Sequence, residues 1–133
     1  MGRTITTKTA MPDQTLPGKR VLIVEDNPVL AFDIHDVISA TGVETVGPAL
    51  DLATGLQLAR EHELDAALLD IDLGGEYVWP LARELKQHNV PFAFISAECR
   101  RDYLPEPFRD SICLEKPARS QEIVVTLASI AKR

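Results

Sequence analysis

The stretch Ala66-Ala67-Leu68-Leu69-Asp70-Ile71-Asp72-Leu73-Gly74-Gly75 decides the fold. Its first four residues are apolar without alternation, which is the pattern of a strand covered on both faces, as in parallel sheets. An acid then closes the strand, and Asp and Gly residues fill the loop beyond it. The same sentence is written three more times along the chain. Val21-Leu22-Ile23-Val24 runs into Glu25-Asp26, Phe92-Ala93-Phe94-Ile95 into Ser96-Ala97, and Ile112-Cys113-Leu114 into Glu115-Lys116-Pro117. Thr45-Val46-Gly47 is a weaker second strand.

Amphipathic stretches separate these runs. Pro28 opens a helix with Leu30, Ile34, Val37 and Ile38 at helical spacing, ended by Gly42. Asp51 can cap a second helix that carries Leu52, Leu56 and Ala59 and runs to about Glu63. A third spans Val78 to Gln87 with Leu81 and Leu85 one turn apart. Ser120 can cap the last, which holds Ile123, Val124, Leu127 and Ile130. Between Cys99 and Ser111 the pattern breaks. Pro105 and Pro107 each remove a helical hydrogen bond, so this connection is expected to be short or irregular and weakly protected from exchange. The order predicts a doubly wound α/β domain with a parallel sheet and right-handed crossovers.

The remaining composition is that of one ordinary globular domain. The chain has 133 residues, 45% of them apolar and 26% charged, with a formal net charge of -6. That charge argues against a broad nucleic-acid face. No apolar run approaches the roughly 18 residues of a membrane span, and no secretory h-region opens the chain. A cytoplasmic location is expected. Residues 1–18, rich in Thr and Pro, read as a poorly ordered lead-in, and residues 19–133 as the domain. Cys99 and Cys113 are too far apart for a CxxC pair and read as buried, inert thiols in a reducing compartment. His35, His62 and His88 lack metal-ligand spacing, and Trp79 reads as packing.

Doubly wound sheets bind ligands beyond the carboxyl ends of their strands. Glu25, Asp26, Asp70, Asp72, Ser96 and Lys116 all lie there. Clustered carboxylates stay ionised only beside a hard cation such as Mg²⁺. A cation and an ammonium can together neutralise a transferring phosphoryl group, which a small hydroxyl can then bind. Asp70, at the tip of the central strand, is the natural nucleophile.

The set Glu25-Asp26, Asp70, Ser96-Ala97 and Lys116-Pro117, in this order and spacing, resembles the receiver domain of two-component response regulators. The resemblance covers about residues 19–133. It implies a flavodoxin-like five-stranded sheet of order 2-1-3-4-5 and Asp70 as phosphoacceptor, charged from a sensor histidine kinase or a phosphotransfer protein. It implies Mg²⁺ held by Asp26, Asp70 and the Asp72 backbone carbonyl, with Glu25 assisting through water. Ser96 and Lys116 would take the phosphoryl oxygens, and a cis Lys116-Pro117 bond is usual. Pro91 to Ser96, with Leu104-Pro105 and Phe108-Arg109-Asp110, looks similar to stand-alone receivers marked by a Phe-Ala-Thr-Gly signature, from which Ile95, Ser96 and Ala97 depart. The position three residues before the lysine, often an aromatic that rotates inward, is Cys113 here. A receiver of this type implies a phosphorylation switch that is not itself a metabolic enzyme. Its output would be a downstream protein partner or phosphate relay, with no nucleic acid or membrane bound, as a monomer or weak homodimer.

Two other readings of the acids exist. An EF-hand loop from Asp70 requires Glu at its twelfth position, which is Leu81. A haloacid-dehalogenase-like phosphatase fits Asp70-Ile71-Asp72, Ser96 and Lys116. It requires an acidic pair after the lysine, where only Glu122 stands, and leaves Glu25-Asp26 idle. A receiver excised from a hybrid kinase is the alternative within the class.

Overall fold

The computed structural model describes residues 15–133. The elements are β1 (Arg20–Val24), α1 (Pro28–Ser39), β2 (Glu44–Ala49), α2 (Leu52–Glu61) and β3 (Ala66–Asp70). A small hairpin of β4 (Asp72–Leu73) and β5 (Glu76–Tyr77) follows, then α3 (Trp79–Gln87) and β6 (Phe92–Ser96). Two 3-10 turns (Arg101–Tyr103 and Glu106–Phe108) lead to β7 (Cys113–Glu115) and α4 (Ser120–Ile130). Five strands form one sheet in the order β2-β1-β3-β6-β7, all parallel. This is the expected topology, with β6 and β7 as its fourth and fifth strands.

The missing alternation in the strands has a direct cause. Leu22, Val24, Leu69 and Phe94 face one core, together with Leu81 of α3 and Phe108. Val21, Ile23, Leu68 and Ile95 face the other, with Ile34 of α1 and Leu127 of α4. A sheet buried on both sides has no polar face to show. Register then fixes the site. Asp70 lies opposite Ile95, and Ser96 opposite Glu115, so the strand ends reach one level at one edge.

Caps set the helix starts. The Asn27 side chain accepts hydrogen bonds from the N–H groups of Val29 and Leu30 at 3.0 and 3.2 Å, and Pro28 stands where no N–H is needed. Asp51 accepts from the Thr54 N–H at 2.7 Å, as expected. Ser120, by contrast, is the first helical residue rather than the cap. Arg119 occupies the cap position, and its N–H donates to Glu122 Oε1 at 3.1 Å. An acid at the third helical position reaching back explains the shift.

Further differences from the sequence reading stand out. Strand two extends to Glu44–Ala49, and the loop after Asp70 contains the β4/β5 hairpin. Most of the expected lead-in lies outside the described residues. Its last part, however, belongs to the fold, since Leu16 is fully buried in the α1/α4 core. The connection after β6 is irregular as expected, yet it is anchored. Leu104 and Phe108 are buried, and Phe108 stacks on Trp79 with ring centroids 5.8 Å apart.

The last is a correction. Cys99 and Cys113 are not separate buried thiols; they form a disulfide, with Cα atoms 5.7 Å apart, and both residues are only half-buried. The two 3-10 turns fold the intervening segment back on itself, which a separation of 14 residues does not announce. Among the described residues no helix is long and apolar enough to cross a membrane.

Candidate functional site

Four strand ends deliver the side chains. Glu25 and Asp26 follow β1, Asp70 ends β3, Ser96 ends β6 and Lys116 follows β7. The last two are tied by the Lys116 N–H, which donates to the Ser96 carbonyl at 2.7 Å. The Lys116 ammonium Nζ lies 2.9 Å from Glu25 Oε1 and 3.2 Å from Asp70 Oδ2. One carboxylate oxygen each from Glu25, Asp26 and Asp70 falls within a 4.8 Å cluster. Glu25 and Asp70 are also buried, and a fold retains a buried acid only when its charge is met or a proton neutralises it.

Glu25 uses its two oxygens differently. Oε2 accepts from the Asn27 N–H at 3.0 Å. Oε1 is buried and meets the Lys116 ammonium at 2.9 Å. The site opens into a cleft of about 650 Å³, whose lining also includes Gly74, Tyr77 and Tyr103. Asp72 also lines the cleft, but its carboxylate accepts from the Gly75 N–H at 2.9 Å and belongs to the hairpin turn. Ser96 Oγ accepts from the Glu98 N–H at 3.3 Å. The structure therefore brings together Glu25, Asp26, Asp70 and Lys116 in direct contact range and sets Ser96 in the same cleft. It leaves the side chain of Asp72 outside the carboxylate cluster. Tyr77 and Tyr103, exposed residues that line the cleft, are not singled out by the sequence.

The electrostatics follow from crowding. Burial, followed by the Glu25 and Asp26 carboxyls, pushes Asp70 up to about 8, against the pull of the Lys116 ammonium. At Asp26 burial acts upward too, but hydrogen bonds with Asp70 and Glu25 and the Lys116 charge hold it below the usual carboxylate range. Burial acts downward on Lys116, and its bonds to Glu25 and Asp70 more than offset this, so the ammonium is held above its usual range. The metal-free protein thus keeps a proton on Asp70 that the unfolded chain, with an ordinary aspartate value of 3.8, has already released.

The sign of the linkage is then fixed. Between about pH 4 and pH 8 the folded state binds more protons than the unfolded one, so this group lowers stability as pH rises through that window. Denaturant titrations of the metal-free protein at pH 5 and pH 8.5 are expected to give the lower midpoint at pH 8.5. Asp70→Asn should flatten that difference. An equal pH dependence in both proteins would place the crowding elsewhere.

The family model of the response regulator receiver domain matches residues 21–128, from the first strand to the last helix. The chain belongs to the response regulator receiver domain family. This receiver is 30% identical over 108 residues to the transcriptional regulatory protein PdtaR of Mycobacterium tuberculosis, a match covering 80% of this chain and 52% of that protein. In three dimensions it resembles the response regulator PhyR of Brucella abortus, with TM-score 0.77 and 26% identity over 94% of this chain and 53% of that one. It also resembles SdrG of Sphingomonas melonis, with TM-score 0.72 and 32% identity over 87% and 97%. The receiver spans about half the length of the curated relatives it matches. Receiver domains are signalling modules that work through phosphorylation, and the acidic pocket of this one is the cluster just described.

Proposed function

We propose that this receiver accepts a phosphoryl group on Asp70 from the phosphohistidine of a sensor histidine kinase or phosphotransfer protein, and passes the signal to a protein partner. The observation that carries this reading is the juxtaposition at the sheet edge. A buried carboxylate at the tip of the central strand touches a lysine ammonium at 3.2 Å and opens to a cleft that holds a hydroxyl. A carboxylate oxygen of Asp70 attacks phosphorus, the bond from phosphorus to the donor's imidazole nitrogen breaks, and the imidazole leaves with the electron pair. Lys116, already paired with Asp70, moves its charge onto the incoming oxygens. Ser96, one strand over, donates its hydroxyl hydrogen to another.

The residues present also fit a divalent cation. Three hard oxygen donors from Glu25, Asp26 and Asp70 crowd within 4.8 Å, and against these three carboxyls the Lys116 ammonium supplies a single positive charge. Asp26, Asp70 and the Asp72 backbone carbonyl would hold Mg²⁺, with Glu25 acting through water. When bound, the cation supplies charge neutralisation for the phosphoryl oxygens and keeps Asp70 ionised. The dehalogenase-like alternative is the weaker reading because it gives Glu25 no task, whereas Glu25 is buried against Lys116.

Exposure to a small acyl phosphate with Mg²⁺, followed by intact-mass measurement, tests the proposal. One acid-stable, base-labile phosphoryl group per chain is expected, and its absence under every donor would overturn it. Asp26→Ala is expected to weaken Mg²⁺ binding at least tenfold, since even indirect partners of a metal are worth about 10–100-fold. The fold should persist, because removing one of three crowded carboxyls relieves repulsion. Titration calorimetry with unchanged Mg²⁺ affinity would remove Asp26 from the ligand set.

A further inference from the structure

The disulfide sits at a place where a covalent tie has mechanical consequences. Cys99 follows Ser96 by three residues, and Cys113 precedes Lys116 by three. Ser96 and Lys116 are already joined through backbone, the Lys116 N–H donating to the Ser96 carbonyl. The Cys99 N–H adds a long bond of 3.4 Å to Glu115 Oε1. With the disulfide closed, residues 97–98 form one side of a ring whose other side is β7. Residues 100–112, which hold both 3-10 turns, become a loop closed on itself. With it open, the start of this segment is held to the strands by the long Cys99 bond to Glu115 and by the Glu98 N–H on Ser96 Oγ, while the Glu98 carboxylate pairs with Arg100 inside the segment itself. Both sulfur-bearing residues are half-buried, so small reagents can reach them, and the Cα separation of 5.7 Å lets the bond form without backbone movement.

We propose that Cys99 and Cys113 are a thiol–disulfide exchange site that gates the movement of residues 97–112 when Asp70 is phosphorylated. Closure takes a low-molecular-weight disulfide as oxidant. One cysteine thiolate attacks a sulfur of the reagent, forming a mixed disulfide and releasing one thiol. The second cysteine thiolate attacks the protein sulfur of that mixed disulfide and releases the other thiol. Two protein thiols and one reagent disulfide thus become one protein disulfide and two reagent thiols, with two electrons passed to the reagent. A small thiol reverses each step. Ser96 stays paired with β7 in either form; the closed form also pins the segment after it to β7, and the open form frees that segment to follow a phosphoryl group. The gating half of this inference rests on the assignment of Asp70 as phosphoacceptor; the exchange half does not.

The whole chain is equilibrated with glutathione and glutathione disulfide at several ratios, and free thiols are counted by alkylation and mass spectrometry. Hydrogen exchange over residues 97–112 is then followed in the oxidised chain, the reduced chain and the Cys99→Ser/Cys113→Ser variant, with and without an acyl phosphate plus Mg²⁺. Label on Asp70 is measured in the same samples. Expected are a loss of both thiols together as the buffer becomes oxidising, and an exchange response to phosphorylation about fivefold larger in the reduced chain, the low end of coupling between sites. The double serine variant should match the reduced chain in both buffers. Thiols that persist in glutathione disulfide overturn the exchange site. A fully labelled Asp70 with equal exchange responses in both redox forms overturns the gate alone. No label in either form overturns the gate together with the reading of Asp70, while the thiol count still decides the exchange site.

Discussion

Asp70→Asn is expected to abolish phosphoryl incorporation from any donor, a loss on the order of a hundredfold or more. The amide keeps the shape of the side chain and removes the anionic oxygen that attacks phosphorus. The same substitution should stabilise the metal-free domain above pH 8. There the wild-type carboxyl, pushed up to about 8 by burial and by Glu25 and Asp26, has become a third negative charge in the cluster. Added Mg²⁺ should raise the melting temperature of the wild type at that pH more than that of the variant, since the variant has one fewer anion to offer. A variant that still takes up one base-labile phosphoryl group would move the acceptor to another residue. A variant that loses stability at high pH would show that the charge on Asp70 is fully met by Lys116.

Phe108→Ala is expected to cost about 3–5 kcal/mol of stability, the usual range for emptying a buried aromatic site. Phe108 is almost wholly inaccessible to solvent, and its ring packs on Trp79, Phe92 and Phe94 with centroid separations of 5.8, 6.0 and 5.9 Å. Three rigid neighbours cannot collapse into the space it leaves. For a domain of this size the melting temperature should fall by roughly 10–20 °C. Residues 97–112 should then lose hydrogen-exchange protection first, because Phe108 and Leu104 are the buried apolar residues that hold that segment. A change under about 1 kcal/mol would mean that the segment is carried by the disulfide rather than by its core contacts.

Much of this domain was legible along the chain. Unalternating runs such as Val21–Val24 and Ala66–Leu69 can be satisfied only by a sheet covered on both faces, and the order of strands and helices then admits one winding. The positions of Glu25, Asp26, Asp70, Ser96 and Lys116 immediately after strands were enough to place them at one edge, because parallel strands all end on the same side. Pro105 and Pro107 foretold that no regular helix would fill the connection before β7.

Other features exist only in three dimensions. That Asp70 retains a proton follows from how closely Glu25 and Asp26 approach it and how little water reaches it, quantities that spacing does not contain. Leu16 looks like part of a Thr- and Pro-rich lead-in, yet its side chain is fully buried in the core that Ile34 of α1 and Leu127 of α4 share. Asp72 enters the sequence reading through its backbone carbonyl, and only the tight hairpin shows that its carboxylate has another task, accepting from the Gly75 N–H at 2.9 Å. Cys99 and Cys113 sit 14 positions apart in a segment without regular structure. The sequence on its own determined the sheet, its winding and the edge where the chemistry gathers, since these depend on local periodicity and strand polarity. The tertiary structure alone decided which carboxyls touch, which one is neutralised and which cysteines pair, because burial and through-space distance arise only once the chain has closed on itself.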